Sequence, residues 1–154
     1  MKTLISPCLL GIRTRWDEDC EEIDELIELV KSGQAVFMCP EQLGGLTTPR
    51  KPAEIETGKT ASDVLNGDAR VLTNTGKDVT EQFVVGAQRI LEFCQSLGVE
   101  EAILKSGSPS CGSEQTYDGS FTDTKVVGKG TTAELLEQNG IKVYNEKNFR
   151  TVER

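Results

Sequence analysis

Three cysteines lie close to prolines in predicted loops, where a thiol is more suited to metal binding or catalysis than to core packing. Cys8 directly follows a proline, Cys39 directly precedes one, and Cys111 comes two residues after one. Each also ends or closely follows a short apolar run, which is typical of a strand leading into a loop. Thiolates are metal ligands and nucleophiles. The pattern predicts one site at which these three thiols meet.

The other two cysteines have a simpler interpretation. Cys94 falls on the apolar stripe of a predicted helix, where a thiol packs as a small hydrophobic group. Cys20 stands at a predicted helix start, and we assign it no role.

Three chemistries compete for a site built on three thiols. A phosphatase-type thiolate loop needs an arginine six residues after its cysteine, but Thr14 stands there after Cys8. Structural zinc usually takes four Cys or His ligands, often at short spacing, whereas these thiols are far apart in the chain. An iron–sulfur cluster uses thiolate ligands, and three of them leave one iron open to a sulfur-bearing substrate. From the residues alone, these alternatives stay open.

Histidine is absent from the chain, and this narrows the chemistry further. The absence excludes Ser-His-Asp and Cys-His activation of a nucleophile and any zinc site with an imidazole ligand. Proton transfer must then involve Glu, Asp, Lys, Tyr, Cys or water.

A carboxylate and a serine-rich loop accompany the thiols. Glu41 comes two residues after Cys39, and it is a candidate general acid or base, although a lone loop glutamate is more often only solvated. Ser106, Ser108 and Ser110 precede Cys111. They are candidates for orienting a substrate or binding cluster sulfur, although serines in turns also satisfy backbone groups.

The elements that must position these residues alternate between strand and helix. Strands are predicted at residues 3–6, 35–38, 102–104 and 141–144. Helices are predicted from Cys20 to about Ser32, from Thr80 to Leu97 and from Thr131 to about Gln138. This alternation predicts an α/β fold with an open parallel sheet of about four strands and helices on both faces, a three-layer Rossmann-like arrangement. In such sheets a ligand binds beyond the carboxyl ends of the strands, which is where all three cysteines fall.

We predict a single domain covering residues 1–154, because no linker, repeat or low-complexity segment interrupts the chain. Residues 44–77 are less regular and are predicted to form an insertion of loops and a hairpin, with a strand at residues 69–72. Residues 112–130 are predicted to be loop, with a turn at Tyr117-Asp118-Gly119.

Composition argues against two classes of partner. The chain has 25 acidic and 17 basic residues, a net charge of −8, so no nucleic-acid or anionic-membrane surface is expected. No apolar run is long enough to cross a bilayer, and the apolar stretch within residues 1–8 is too short for a secretory signal. We therefore expect a cytoplasmic protein with free thiols.

Several segments of the chain resemble the bacterial family, once a domain of unknown function, that contains the thiouracil desulfidases. The resemblance extends from about residue 3 to residue 145. Members tend to have Tyr-Asp-Gly where this chain has Trp16-Asp17-Glu18. The segments that carry the resemblance are Ser6-Pro7-Cys8-Leu9-Leu10-Gly11, Cys39-Pro40-Glu41-Gln42-Leu43-Gly44-Gly45-Leu46, Thr48-Pro49-Arg50, Pro52-Ala53-Glu54, Asp78-Val79-Thr80, residues 105–112 and Tyr117-Asp118-Gly119.

The resemblance implies a cofactor, a substrate and a role for each site residue. It implies a [4Fe-4S] cluster held by Cys8, Cys39 and Cys111, and a small thiolated base as substrate. The substrate sulfur would bind the open iron, and water activated by Glu41 would attack the carbon. Sulfur would stay on the cluster as hydrosulfide and then leave, so that 2-thiouracil becomes uracil without net redox change.

Serine and glycine residues complete the implied site. Ser108 is predicted to be catalytic through positioning the substrate, and Ser106, Ser110 and Gly44 are predicted to contact it. The alternative function is a non-catalytic iron–sulfur or metal-binding module, such as a sulfur carrier or a redox sensor. A third hypothesis is a metal-free α/β domain with ordinary loop thiols.

Overall fold

The computed structural model of the chain describes residues 2–152, and its centre is a parallel sheet. Strands β1 (Lys2–Ile5), β2 (Ala35–Phe37), β5 (Val99–Leu104) and β8 (Lys142–Asn145) pair in the order β2-β1-β5-β8. All three pairings are parallel. This arrangement confirms the predicted α/β class. The ends of the predicted domain, Met1 and residues 153–154, lie outside the described residues.

Helices cover both faces of the sheet, because alternate strand residues point to opposite sides. Ile5 and Ile103 pack with Leu26 of helix α1 (Asp24–Lys31). On the other face, Leu4 and Leu104 pack with residues of two further helices. These helices are α4 (Thr80–Leu97) and α5 (Thr131–Gln138).

Short elements surround the carboxyl ends of the strands. A single turn of 3-10 helix, Pro7–Leu9, follows β1, and α2 (Pro40–Leu43) follows β2. Two antiparallel strand pairs lie outside the main sheet. They are formed by β3 (Ala53–Ile55) with β4 (Val71–Thr73), and by β6 (Gln115–Tyr117) with β7 (Lys125–Val127).

The first helix begins later than its sequence pattern predicts. The prediction placed its start at Cys20, but α1 starts at Asp24. The preceding residues are drawn into backbone pairing with the 3-10 turn: Glu21 N–H donates to the Cys8 carbonyl at 2.7 Å, and Ile23 N–H donates to the Leu9 carbonyl at 3.1 Å. These long-range bonds outweigh a helical tendency that rests on local pattern alone.

The irregular regions contain more structure than predicted. Residues 44–77 include the antiparallel pair of β3 and β4, and β4 begins at Val71, whereas the strand was predicted to begin at residue 69. They also include an unpredicted helix, α3 (Ala61–Leu65), which starts with a capping box between Thr60 and Asp63. Residues 112–130, predicted to be loop, contain the β6–β7 hairpin.

Among residues 2–152, no helix combines the length and the apolar character that crossing a bilayer requires.

Candidate active site

The three predicted thiols line one cavity of about 450 Å³ at the carboxyl edge of the sheet. Cys8 lies in the 3-10 turn after β1, Cys39 is the N-cap of α2 after β2, and Cys111 lies in the loop after β5. Because β2, β1 and β5 are adjacent in the sheet, residues more than 70 positions apart in sequence meet there. Glu41, Ser106 and Ser108 line the same cavity.

The thiols are buried and electrostatically coupled. Burial raises the pKa of Cys8 to about 12, with a further contribution from Cys39. Burial also raises the pKa of Cys39. Burial raises the pKa of Cys111 well above its usual range, and the neighbouring groups of Cys39, Glu41 and Cys8 raise it further. In the absence of a cation these groups are therefore thiols, and a bound metal supplies the positive charge that favours thiolates.

The donor set suits an iron–sulfur cluster, whose usual protein ligands are cysteine thiolates. Within residues 2–152, no three His, Cys, Asp or Glu side chains lie close enough to share one ion. Cys8, Cys39 and Cys111 form no disulfide, are no more than 9% exposed and line one cavity. In a [4Fe-4S] cluster each cysteine thiolate binds a different iron, so the thiolates need not converge on one point.

Glu41 is held by a buried arginine. Arg50 Nη2 donates to Glu41 Oε2 at 3.1 Å, and the two side chains are only 7% and 17% exposed. The same Nη2 donates to the Thr14 carbonyl at 3.0 Å, and Nη1 donates to Thr48 Oγ1 at 2.9 Å. Arg50 thus ties the carboxylate to two loops and fixes its orientation in the cavity wall.

We expect Arg50→Ala to destabilise the protein by about 3–5 kcal/mol, because it leaves the Glu41 carboxylate buried without its partner. Arg50→Lys should be less destabilising than Arg50→Ala, because it keeps a positive charge beside Glu41. Urea denaturation measures both effects. Arg70→Ala is the matched control, since its pair with Glu56 lies at the surface and its loss should change stability little. Equal midpoints for Arg50→Ala and Arg70→Ala would contradict the role of the buried pair.

Gly44 does not line the cavity but packs against helix α4. A Cβ on Gly44 would lie 2.0 Å from the Gln82 carbonyl oxygen, and one on Gly86 would lie 2.2 Å from the Pro40 carbonyl oxygen. These two glycines let α2 and α4 approach backbone to backbone. The predicted substrate contact of Gly44 has no support in this geometry, whereas its packing fixes the short helix that carries Glu41.

We expect Gly86→Ala to destabilise the protein by about 1–3 kcal/mol or more, because the new methyl group overpacks the α2–α4 contact. The displaced helix should also lower the activity that depends on Glu41. Gly128→Ala is the control, because its Cβ would meet its nearest neighbour, Thr116 Oγ1, at an ordinary 3.4 Å. A denaturation midpoint for Gly86→Ala that matches the control would contradict the packing argument.

The three predicted serines occupy different environments. Ser108 Oγ lies at the cavity and accepts hydrogen bonds from the backbone N–H groups of Ser110 and Cys111, both at 3.0 Å. Ser106 also lines the cavity, but its hydroxyl donates to Glu146 Oε2 at 2.9 Å. Ser110 is 1% exposed, bonds to Thr132 and does not line the cavity. Within residues 2–152 the Ser108 Oγ only accepts hydrogen bonds, so its hydroxyl hydrogen is available to a ligand, whereas in the Ser110–Thr132 pair either hydroxyl can be the donor.

Several residues line the cavity although their local sequence does not indicate a functional position. Arg50 resembles a surface arginine in a proline-rich loop, and Glu54 resembles a solvated carboxylate in a short strand. Trp16 and Phe121 line the cavity and are 42% and 37% exposed.

Glu18, which stands where family members tend to have glycine, has a φ of 61°, in the left-handed region that glycine favours.

Comparison with known proteins agrees with this geometry. The family model described as 2-thiouracil desulfurase matches residues 3–148. An uncharacterized protein of Bacillus subtilis (strain 168), YbbK, is 43% identical over 149 residues, which cover 97% of this chain and 98% of that protein. A solved structure of a [4Fe-4S]-dependent thiouracil desulfidase, TudS, superposes with a TM-score of 0.86 at 39% identity, covering 97% of this chain and 93% of that one.

These matches extend over nearly the whole chain and include all three cavity-lining cysteines. They confirm the resemblance that the sequence motifs carry. The chain belongs to the 2-thiouracil desulfurase family, a family of desulfidase enzymes.

Proposed function

We propose that this protein removes sulfur from a thiolated pyrimidine, converting 2-thiouracil and water into uracil and hydrogen sulfide. One observation carries the proposal: three buried thiols from three separate loops line the same cavity as Glu41 and Ser108. The reaction is a hydrolysis, because oxygen from water replaces sulfur on the ring carbon and no electrons are gained or lost. It needs no reductant or oxidant.

Cys8, Cys39 and Cys111 would hold a [4Fe-4S] cluster through one thiolate each. The solved relative is described as [4Fe-4S]-dependent, and three cysteines that line one cavity are the kind of ligand that such a cluster uses. When bound, the cluster supplies an open iron that acts as a Lewis acid toward the thiocarbonyl sulfur.

Glu41 is the general base of the proposed reaction. Its Oε2 is bound to Arg50 at 3.1 Å, so the carboxylate has a fixed orientation in the cavity wall. A carboxylate held in this way accepts a proton from water as the water oxygen attacks the ring carbon. The fixed orientation lowers the entropy cost of bringing water, base and substrate together.

Ser108 is the proposed hydrogen-bond donor to the substrate. Two backbone N–H groups already donate to its Oγ, which leaves the hydroxyl hydrogen as the group available to a ligand. A donor fixed by its own acceptor contacts is preorganised, and preorganised donors stabilise developing negative charge. The Ser106 hydroxyl, in contrast, is engaged by Glu146 and serves to shape the loop.

Product analysis tests the function directly. Protein purified without oxygen and supplied with 2-thiouracil, but with no reductant, should release uracil and sulfide in equal amounts. Oxygen-18 from labelled water should appear in the uracil. A cluster-containing protein that leaves 2-thiouracil and other thiolated pyrimidines unchanged would refute the proposal and favour a sulfur carrier or redox sensor.

A further inference from the structure

Glu54 is a buried carboxylate on the cavity wall that the proposed chemistry does not use. It lies in the middle of β3, it is 9% exposed, and it lines the same cavity as the three thiols. Buried carboxylates need partners for their oxygens. The partners of Glu54 therefore indicate what this residue does.

One oxygen of Glu54 is fully engaged by a loop. Oε1 accepts the backbone N–H of Gly119 at 2.9 Å and that of Phe121 at 3.3 Å. The loop lies hard against the strand end, because a Cβ on Gly119 would lie 2.5 Å from the Ile55 carbonyl oxygen and 2.6 Å from Thr57 N. Oε1 and Gly119 together hold residues 118–124 beside β3, with Phe121 in the cavity wall.

The other oxygen has no hydrogen-bond or ion-pair partner among residues 2–152. Both hydrogen bonds that the Glu54 carboxylate accepts there go to Oε1. Burial raises the pKa of Glu54, and the two backbone N–H groups that donate to Oε1 lower it. The nearby carboxylates of Asp118 and Asp123 raise the pKa further. Oε2 is not sealed inside the protein but remains accessible from the cavity that Glu54 lines, so it is open to a donor that enters the cavity.

A ligand in the cavity would supply the missing donor. Thiolated pyrimidines such as 2-thiouracil carry ring N–H groups, and a carboxylate is a strong acceptor for such a donor. A recognition contact of this kind also discriminates sharply, because a substrate without the N–H leaves the carboxylate unpaired.

We propose that Glu54 is a substrate-binding residue, whose Oε1 fixes the 118–124 loop and whose Oε2 accepts a ring N–H of the thiolated base. The proposal rests on the function proposed above and adds to it a basis for substrate selection. It assigns separate tasks to the two oxygens of one carboxylate. These tasks can be separated by substitution.

Glu54→Gln separates the two tasks, because the amide keeps one oxygen for the loop and replaces the other with a donor. We expect calorimetric titration with uracil and with 2-thiouracil to show binding weakened about tenfold to hundredfold, the usual effect of losing a charge-assisted hydrogen bond. The KM should rise by a similar factor with a smaller change in kcat. Glu56→Gln, two residues along the chain and outside the cavity lining, is the matched control.

Ring-methylated bases identify the contact. Wild-type protein should discriminate against 1-methyl- or 3-methyl-2-thiouracil, whichever loses the recognised N–H, and Glu54→Gln should lose that discrimination. Equal affinities of wild type and variant for the parent base, or an unchanged methyl effect, would overturn the assignment. Binding reports on Glu54 even without turnover, so a wild type that binds the base but does not convert it would refute only the proposed function. A wild type that does not bind either base would overturn both.

Discussion

Replacing Cys39 with alanine is expected to remove the iron–sulfur cluster and reduce thiouracil desulfuration to the background rate. The same result is expected for Cys8→Ala and Cys111→Ala, because three protein ligands leave none to spare. Iron content, acid-labile sulfide and visible absorption measure the cluster, and uracil formation measures the activity. All preparations need to be made without oxygen.

Cys20→Ala is the matched control for these variants. Cys20 is only partly buried and does not line the cavity, so cluster and activity should match the wild type. Cys94→Ala should likewise keep its cluster, because Cys94 is fully buried in the packing of α4. A full cluster in Cys8→Ala, Cys39→Ala or Cys111→Ala would remove that cysteine from the ligand set.

Glu41→Gln is expected to keep the cluster and to lower kcat by about 10²–10⁴-fold, the usual contribution of a general base. The amide has nearly the same shape as the carboxylate and retains an oxygen for Arg50, but it cannot take a proton from water. Steady-state kinetics, with absorption spectra recorded on the same samples, separate loss of the base from loss of the cluster.

Glu92→Gln controls for the general effect of removing one carboxylate. Glu92 is exposed on α4 and does not line the cavity, so its replacement should leave kcat unchanged. Wild-type turnover by Glu41→Gln would exclude Glu41 as the base.

The sheet and the convergence of the thiols were predictable from sequence. Apolar runs that alternate with helical periodicity favour a parallel sheet, and in that fold the residues after each strand meet at one edge. Cys8, Cys39 and Cys111 follow β1, β2 and β5 in this way. The convergence was predictable because it depends on the order of strands and helices, which the hydrophobic pattern indicates, and not on side-chain contacts.

The elements that were missed depend on contacts between distant residues. The stretch from Cys20 to Ile23 has a helical pattern, but backbone bonds to the Cys8 and Leu9 carbonyls keep it extended. The β6–β7 hairpin and helix α3 were missed for a second reason: their elements are only three to five residues long, too short for a periodic pattern to be recognised.

Side-chain roles within the site were harder to predict than its location. Ser106, Ser108 and Ser110 have similar neighbours in sequence, yet the first donates to Glu146 and the third shares a hydrogen bond with Thr132. Within residues 2–152, the second only accepts from backbone N–H groups. Gly44 was predicted to contact substrate, whereas its tight approach to Gln82 gives it a packing role. Such distinctions arise from tertiary partners that no local pattern encodes.

An iron and acid-labile sulfide count on wild-type protein purified without oxygen tests the central claim most directly. We predict about four iron atoms and four sulfides per chain, with the visible absorption typical of a cluster. Protein that holds no iron even after anaerobic reconstitution would contradict the claim that Cys8, Cys39 and Cys111 form a cluster site.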